Sequence, residues 1–185
     1  WGSRYGDSFL AEPLYSDSTA GNQEQMASWS SRGLTDDGRV KPDVVAPGTW
    51  ILSAFSGMYQ EGYGDPVNPA NGLYQWDGWG MPASETYKYM GGTSMSNPLV
   101  AGGATVVRDY FFKAHGHNAS AALVKATLIN SADDMLDENN DGVNDNAYPI
   151  PNNHEGWGLV NFATATAGSA QFVAEAAGLG TGGSD

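Results

Sequence analysis

The chain has 185 residues, 41% of them apolar, which is enough for one compact domain with a real core. It carries 21 carboxylates against 8 Lys and Arg, a formal charge of −13. That balance argues against nucleic acid and anionic lipid surfaces as partners, because both need a basic face. The absence of cysteine removes disulfides, thiolate nucleophiles and Cys-bound zinc, and no apolar run approaches the length of a membrane span.

Residues 1–27 are polar and rich in Gly and Ser, with no clear period. Trp1-Gly2-Ser3 does not read as a natural start and no signal peptide opens the chain, so a processed or partial chain is expected. Val44-Val45-Ala46 and Ile51-Leu52-Ser53-Ala54 read as short buried strands on either side of Pro47-Gly48. Residues 56–86 turn to Gly, Pro and Asn, interleaved with Tyr59, Tyr63, Tyr74, Trp76 and Trp79. They read as a long aromatic-pinned surface loop, with the rim of a substrate cleft as the alternative.

Tyr87 to Met90 reads as a strand. Gly91-Gly92 then leads into a helix from Ser94 to His115, with Pro98 in its first turn, where a missing N–H is harmless. Val100, Ala101, Ala104, Val107 and Phe111 recur at helical spacing. The small residues Ala101 to Ala104 suit close packing, so this helix is expected to be central and buried. A second helix should run from Ser120, as N-cap, to Ser131. Residues 132–153 form an acidic Asn/Asp-rich loop, Trp157 to Phe162 begins a last structured piece, and residues 178–185 are a Gly-rich tail.

The chemistry is concentrated in Met90-Gly91-Gly92-Thr93-Ser94-Met95-Ser96-Asn97-Pro98. A serine hydroxyl needs a base for its proton and donors for the oxyanion. At the start of a helix its backbone N–H is unsatisfied and the helix dipole favours developing negative charge. The preceding glycines allow a tight turn. The same residues would also make an ordinary capped helix, and the residues alone leave both readings open.

A second segment bears on metal binding. Asp137, Asn139, Asp141 and Asp145 stand at relative positions 1, 3, 5 and 9, with Gly142 at 6 and Val143 at 7. That is the front of an EF-hand-like loop, but Tyr148 stands at position 12, where a bidentate Glu belongs. Two readings stay open. One is a structural Ca²⁺ site with Asp137, Asn139, Asp141, Val143 and Asp145 as ligands, completed by Asp133 or Glu155. The other is a solvated acidic loop.

Gly92 to Gly102, with Ser94 within it, resembles the nucleophile segment of the subtilisin-like serine proteases. Ser30 to Gly33 with Asp37 to Gly48, and Gly156 to Asn161, resemble two further blocks of that family, in the family's order. The resemblance covers residues 28–166 and looks most like the larger alkaline bacterial members. It implies an α/β, three-layer fold with a mostly parallel sheet and a central buried helix starting at the nucleophile. Residues 1–167 would be the C-terminal part of the catalytic domain, and residues 168–185 an extension or linker.

The resemblance further implies a secreted serine endopeptidase acting on protein or peptide substrates. Ser94 would be the nucleophile, its own N–H half of the oxyanion hole, and Met95 packing beside it. The Asp43 block would be scaffold. Leu99 replaces the histidine common in the family, which implies a packing change. The family's Asp and His precede the serine, whereas His115, His117 and His154 all follow Ser94. Asn22 stands too close to the Ser30 block to be the family's oxyanion asparagine. The missing triad members would therefore come from an N-terminal part of the same protease. The alternatives are an inactive pseudoprotease and a calcium-stabilised accessory module.

Overall fold

The computed structural model describes residues 21–54, 81–84 and 86–167. Among these residues, three strands, β1 (Ile51–Ala54), β2 (Met81–Pro82) and β3 (Tyr87–Met90), and three helices, α1 (Thr93–His115), α2 (Ala121–Asn130) and α3 (Phe162–Ala165), follow in chain order. The aromatic residues of the 56–86 segment and the 168–185 extension lie outside the described residues, but Met81–Pro82 is strand rather than loop. The chain divides into two units, residues 1–21 with 47–96, and residues 22–46 with 97–185.

The first unit holds a three-stranded sheet in the order β1-β3-β2. Ile51 pairs with Met90 and Ala54 with Tyr87, and Met81 pairs with Tyr89, all antiparallel. The mostly parallel sheet expected from the sequence is not seen among the described residues. Parallel pairing is confined to the isolated bridges Val45↔Leu159 and Gln25↔Asp137 in the second unit. Residues 44–46 therefore contribute a bridge rather than a strand. The apolar run Val44-Val45-Ala46 signals burial, but a strand needs a partner ladder, and here only Val45 has one. β1 forms where expected yet is mostly exposed, with Leu52 at 49%. In β3 the polarity is inverted: Lys88 is buried, while Tyr87 and Tyr89 face outward.

The second unit packs around one apolar cluster of Val107, Phe111, Ala119, Leu128 and Ala165, flanked by Val100, Ala104, Tyr110, Leu123, Val124 and Phe162. Gly103, Val107 and Phe111 form the buried stripe of α1, one residue every helical turn. A Cβ on Gly103 would run into the Phe162 ring, so this glycine sets how closely α3 approaches α1. The rest of α1 is not buried among the described residues. Leu99, Ala101, Gly102, Thr105, Val106 and Phe112 are exposed. The small-residue run Ala101 to Ala104 is thus split between a packed side and an open one.

α2 keeps the boundaries read from the sequence. Ser120 is its N-cap, with Oγ accepting from the Leu123 N–H at 3.1 Å, and Ser131 is its C-cap. α3 is capped likewise by Asn161, whose Oδ1 accepts from the Thr164 N–H at 2.9 Å.

Candidate active site

Ser94 is the second residue of α1 and is exposed. Glycine shapes the turn that presents it. Gly92 has φ +143°, a region L side chains rarely enter. Its N–H donates to the Gly48 carbonyl at 2.7 Å, and its own carbonyl accepts from the Met95 N–H at 2.9 Å. A Cβ on Gly48 would collide with Ser96 Oγ and stand 2.9 Å from the Gly92 carbonyl oxygen. The Pro47-Gly48 turn therefore braces the serine turn by direct backbone contact. Sequence reading took Pro47-Gly48 only as punctuation between strands. The missed signal was that a brace lying backbone to backbone requires glycine.

α1 begins at Thr93, one residue earlier than the sequence suggested. Pro98 is consequently the sixth helical residue, past the first turn, and its missing N–H is not one of the naturally free ones. In an α-helix that N–H would bond the carbonyl of residue 94, so the Ser94 carbonyl lacks its usual donor. The Thr93 and Ser94 N–H groups are among the four amides that helix geometry leaves without intrahelical partners. No acidic side chain stands in the first turn to neutralise the positive end of the helix. An exposed hydroxyl beside free amides at that end is suited to nucleophilic attack and to receiving an oxyanion.

All three histidines follow Ser94 in the chain and belong to the second unit. His115 is at the far end of the same helix, roughly 30 Å away at 1.5 Å per residue, in edge and tilted contact with Tyr110 and Phe111. His154 stacks on Tyr148 at 5.1 Å, and burial together with the charge of Arg32 holds its pKa below the ordinary value. Asn22 is a loop residue: its Oδ1 accepts from the Glu24 N–H and its Nδ2 donates to Asn144.

The Asp43 block is scaffold. Asp43 pairs with Lys41 and, at 2.9 Å, with Lys125. Burial alone would raise its pKa, but hydrogen bonds from the two lysines outweigh it and hold the carboxyl below its usual value. Its carbonyl accepts from the Trp157 N–H, and Val45 exchanges backbone bonds with Gly158 and Val160. A Cβ on Gly156, at φ +69°, would collide with the Pro42 carbonyl. Two of the three sequence blocks are thereby stitched together within the second unit.

The acidic loop is ordered by its own carboxylates. Asp137 is fully buried and accepts from the Asp141 N–H at 3.0 Å and the Gly142 N–H at 3.1 Å. Asn139 Oδ1 accepts from the Asp141 N–H, and Asp141 Oδ1 from the Val143 N–H. Gly142 has φ +86°, the sharp turn the pattern called for. Asp145 is exposed and its N–H donates to the Val143 carbonyl. The donors are all oxygen and the front of the loop has the right turn, so the set fits a hard cation in part. Among the described residues no three His, Cys, Asp or Glu side chains are grouped to hold a metal. Asp133 and Glu155 are engaged elsewhere, Asp133 with Asn161 and Glu155 with Met135 and Asn152.

Glu155 is strongly perturbed. It is fully buried, and burial pushes its pKa up to about 7, with Asp134 and Glu138 adding to the rise against hydrogen bonds from Asn152 and Met135. Between its ordinary value and about 7 the folded state holds a proton that the unfolded state releases. The contribution of neutral Glu155 to stability is full below pH 4.5, declines as pH rises through that window and is lost above about 7. In chelator, the Tm of the Glu155→Gln variant should therefore lose much of the fall that the parent shows between pH 5 and pH 8. Parallel profiles for the two would contradict this.

The profile of the subtilase family matches residues 16–158. The serine protease/ABC transporter B family protein tagB of Dictyostelium discoideum is 33% identical over 136 residues, 68% of this chain and 6% of that protein. The serine protease/ABC transporter B family protein tagD of the same organism is 33% identical over 139 residues, 69% of this chain and 7% of that protein. The C5a peptidase of Streptococcus pyogenes is 29% identical over 162 residues, 86% of this chain and 11% of that protein. The chain thus spans only a small part of the length of these relatives.

Proposed function

The chain belongs to the subtilase family, and on that premise we propose that it carries the nucleophile-bearing part of a serine endopeptidase. Ser94 attacks the peptide carbonyl, the leaving amine departs, and water hydrolyses the acyl-enzyme. The Ser94 N–H donates to the oxyanion at the positive end of α1. The observation that carries this reading is the exposed Ser94 on a glycine-built turn with free amides and no competing acid.

The general base, the carboxylate that orients it and the second oxyanion donor come from a part of the protease N-terminal to this chain. Two facts support that. All three histidines follow Ser94 in the sequence. The exposed side of α1 also carries no charge before Arg108 and presents Leu99, Ala101 and Val106, an apolar surface suited to contact with another part of the protease. The substrates are proteins or peptides. A secreted, extracellular place of action fits the acidic, cysteine-free composition, and no described helix is long and apolar enough to cross a membrane. The 137–145 loop binds a structural Ca²⁺ through Asp137, Asn139, Asp141, the Val143 carbonyl and Asp145.

Gly102 tests the covered face. Nothing stands within 4 Å of a Cβ built there, so on an open helix Gly102→Ala would stabilise by about 0.5–1 kcal/mol. In the whole protease the substitution should destabilise instead, through overpacking of roughly 1–3 kcal/mol. A rise in Tm would mean that the face is open to solvent. The chemistry is tested by reaction with an activated ester followed by peptide mapping. An acyl group on Ser94 is expected, and an acyl group only elsewhere would overturn the assignment.

A further inference from the structure

Within the acidic 132–153 segment, three buried oxygens have no hydrogen-bond partner: Asp134 Oδ1, Glu138 Oε2 and Asn146 Oδ1. Glu138 is itself fully buried. The three are brought together by two segments running side by side. The Asn146 N–H donates to the Leu136 carbonyl at 2.8 Å, and its side-chain amide donates to Asp134 Oδ2 at 2.7 Å. Two residues on, the Tyr148 N–H donates to Glu138 Oε1 at 2.6 Å. Each carboxylate thus has one oxygen tied to the 146–148 segment and the other free. Asn146 has its donor end used and its acceptor end free.

Neither Asp134 nor Glu138 forms an ion pair among the described residues. Among the described residues the carboxylates in ion pairs are Asp37, Asp43 and Asp109. Arg32 spends Nη2 on the Asn139 carbonyl. His154, which lies near Glu138, is held toward its neutral form by burial and by Arg32 against the pull of Glu138. Asp134 and Glu138 both lie close enough to the buried Glu155 to raise its pKa, so three carboxylates share this region. A buried carboxylate oxygen without a donor is costly unless a proton, a water or a cation satisfies it. Two such oxygens and an amide oxygen are an all-oxygen donor set, which hard divalent cations take and softer metals do not.

We propose that Asp134, Glu138 and Asn146 form a cation site of the calcium class that pins the 134–138 segment to the 146–148 segment and shares no ligand with the set Asp137, Asn139, Asp141, Val143 and Asp145. No trio of acid or imidazole side chains could grip a metal there, so the two carboxylates act with the Asn146 amide oxygen, and water completes the shell.

The test is Ca²⁺ titration of chelator-treated protein by calorimetry, with bound ions counted by native mass spectrometry. Glu138→Gln keeps the acceptor for the Tyr148 N–H and Asp134→Asn keeps the shape, so both should fold, as Tm in chelator will verify. Each should lose one bound Ca²⁺, or weaken it at least tenfold, and lose part of the Ca²⁺-induced rise in Tm. Asp141→Asn in the loop should leave this ion in place. If Glu138→Gln and Asp134→Asn bind the parental number of ions with parental affinity, or if only Asp141→Asn reduces binding, the site does not exist. The loop assignment would stand or fall separately.

Discussion

Replacing Ser94 by Ala should lower kcat by roughly 10⁶-fold, the magnitude seen when triad enzymes lose the nucleophile, while KM stays close to the parent's. Ser94 is exposed and its hydroxyl is needed neither for a cap nor for packing in the structure described, so stability should be nearly unchanged. Unchanged binding with lost turnover is the signature of a group used in the transition state rather than in holding substrate. Progress curves on a peptide substrate, with a melting curve on the same preparation, check both halves. Residual activity within tenfold of the parent would remove Ser94 from the reaction.

Gly48→Ala should be nearly as informative, although Gly48 bears no reactive group. The added methyl has no room: it meets Ser96 Oγ on one side and the Gly92 carbonyl on the other. Gly92 cannot yield easily, because its N–H is bonded to the Gly48 carbonyl and its φ of +143° belongs to glycine. The serine turn must then shift. A displacement of about 1 Å at a reacting group costs on the order of 10² in rate, and the overpacking adds roughly 1–3 kcal/mol of destabilisation. Gly38→Ala is the control, since nothing lies within 4 Å of a Cβ there, although its φ of +81° will cost some stability. Gly48→Ala should lose rate and stability together, and Gly38→Ala stability alone. Equal rates in the two variants would mean that Pro47-Gly48 does not brace the turn.

The parts of the fold that were legible in the sequence are those set by local chemistry. Ser120 announces α2 because its hydroxyl can cap Leu123, and Val100, Ala104, Val107 and Phe111 announce the packed side of α1 by their period. Longer-range features were not legible. β1 was read as buried because Ile51 and Leu52 are apolar, but exposure depends on what else packs there, and Leu52 is half open. Val44-Val45-Ala46 was read as a strand, whereas a ladder needs a neighbour and only Val45 has one. At the site, the motif located Ser94 but not the brace at Gly48. The acidic run suggested a loop but not the burial of Asp137, Glu138 and Glu155, because a charge pattern does not say which carboxylates turn inward.

The most direct test of the central claim is fluorophosphonate labelling of the whole protease, with intact mass and peptide mapping. Covalent label on Ser94, lost in Ser94→Ala, is the expected result, since only a serine with a docked base and oxyanion donors reacts at a useful rate. With an N-terminal part bearing the Asp and His verified in the same sample, an unlabelled Ser94 would contradict the account and make the protein an inactive member of its family.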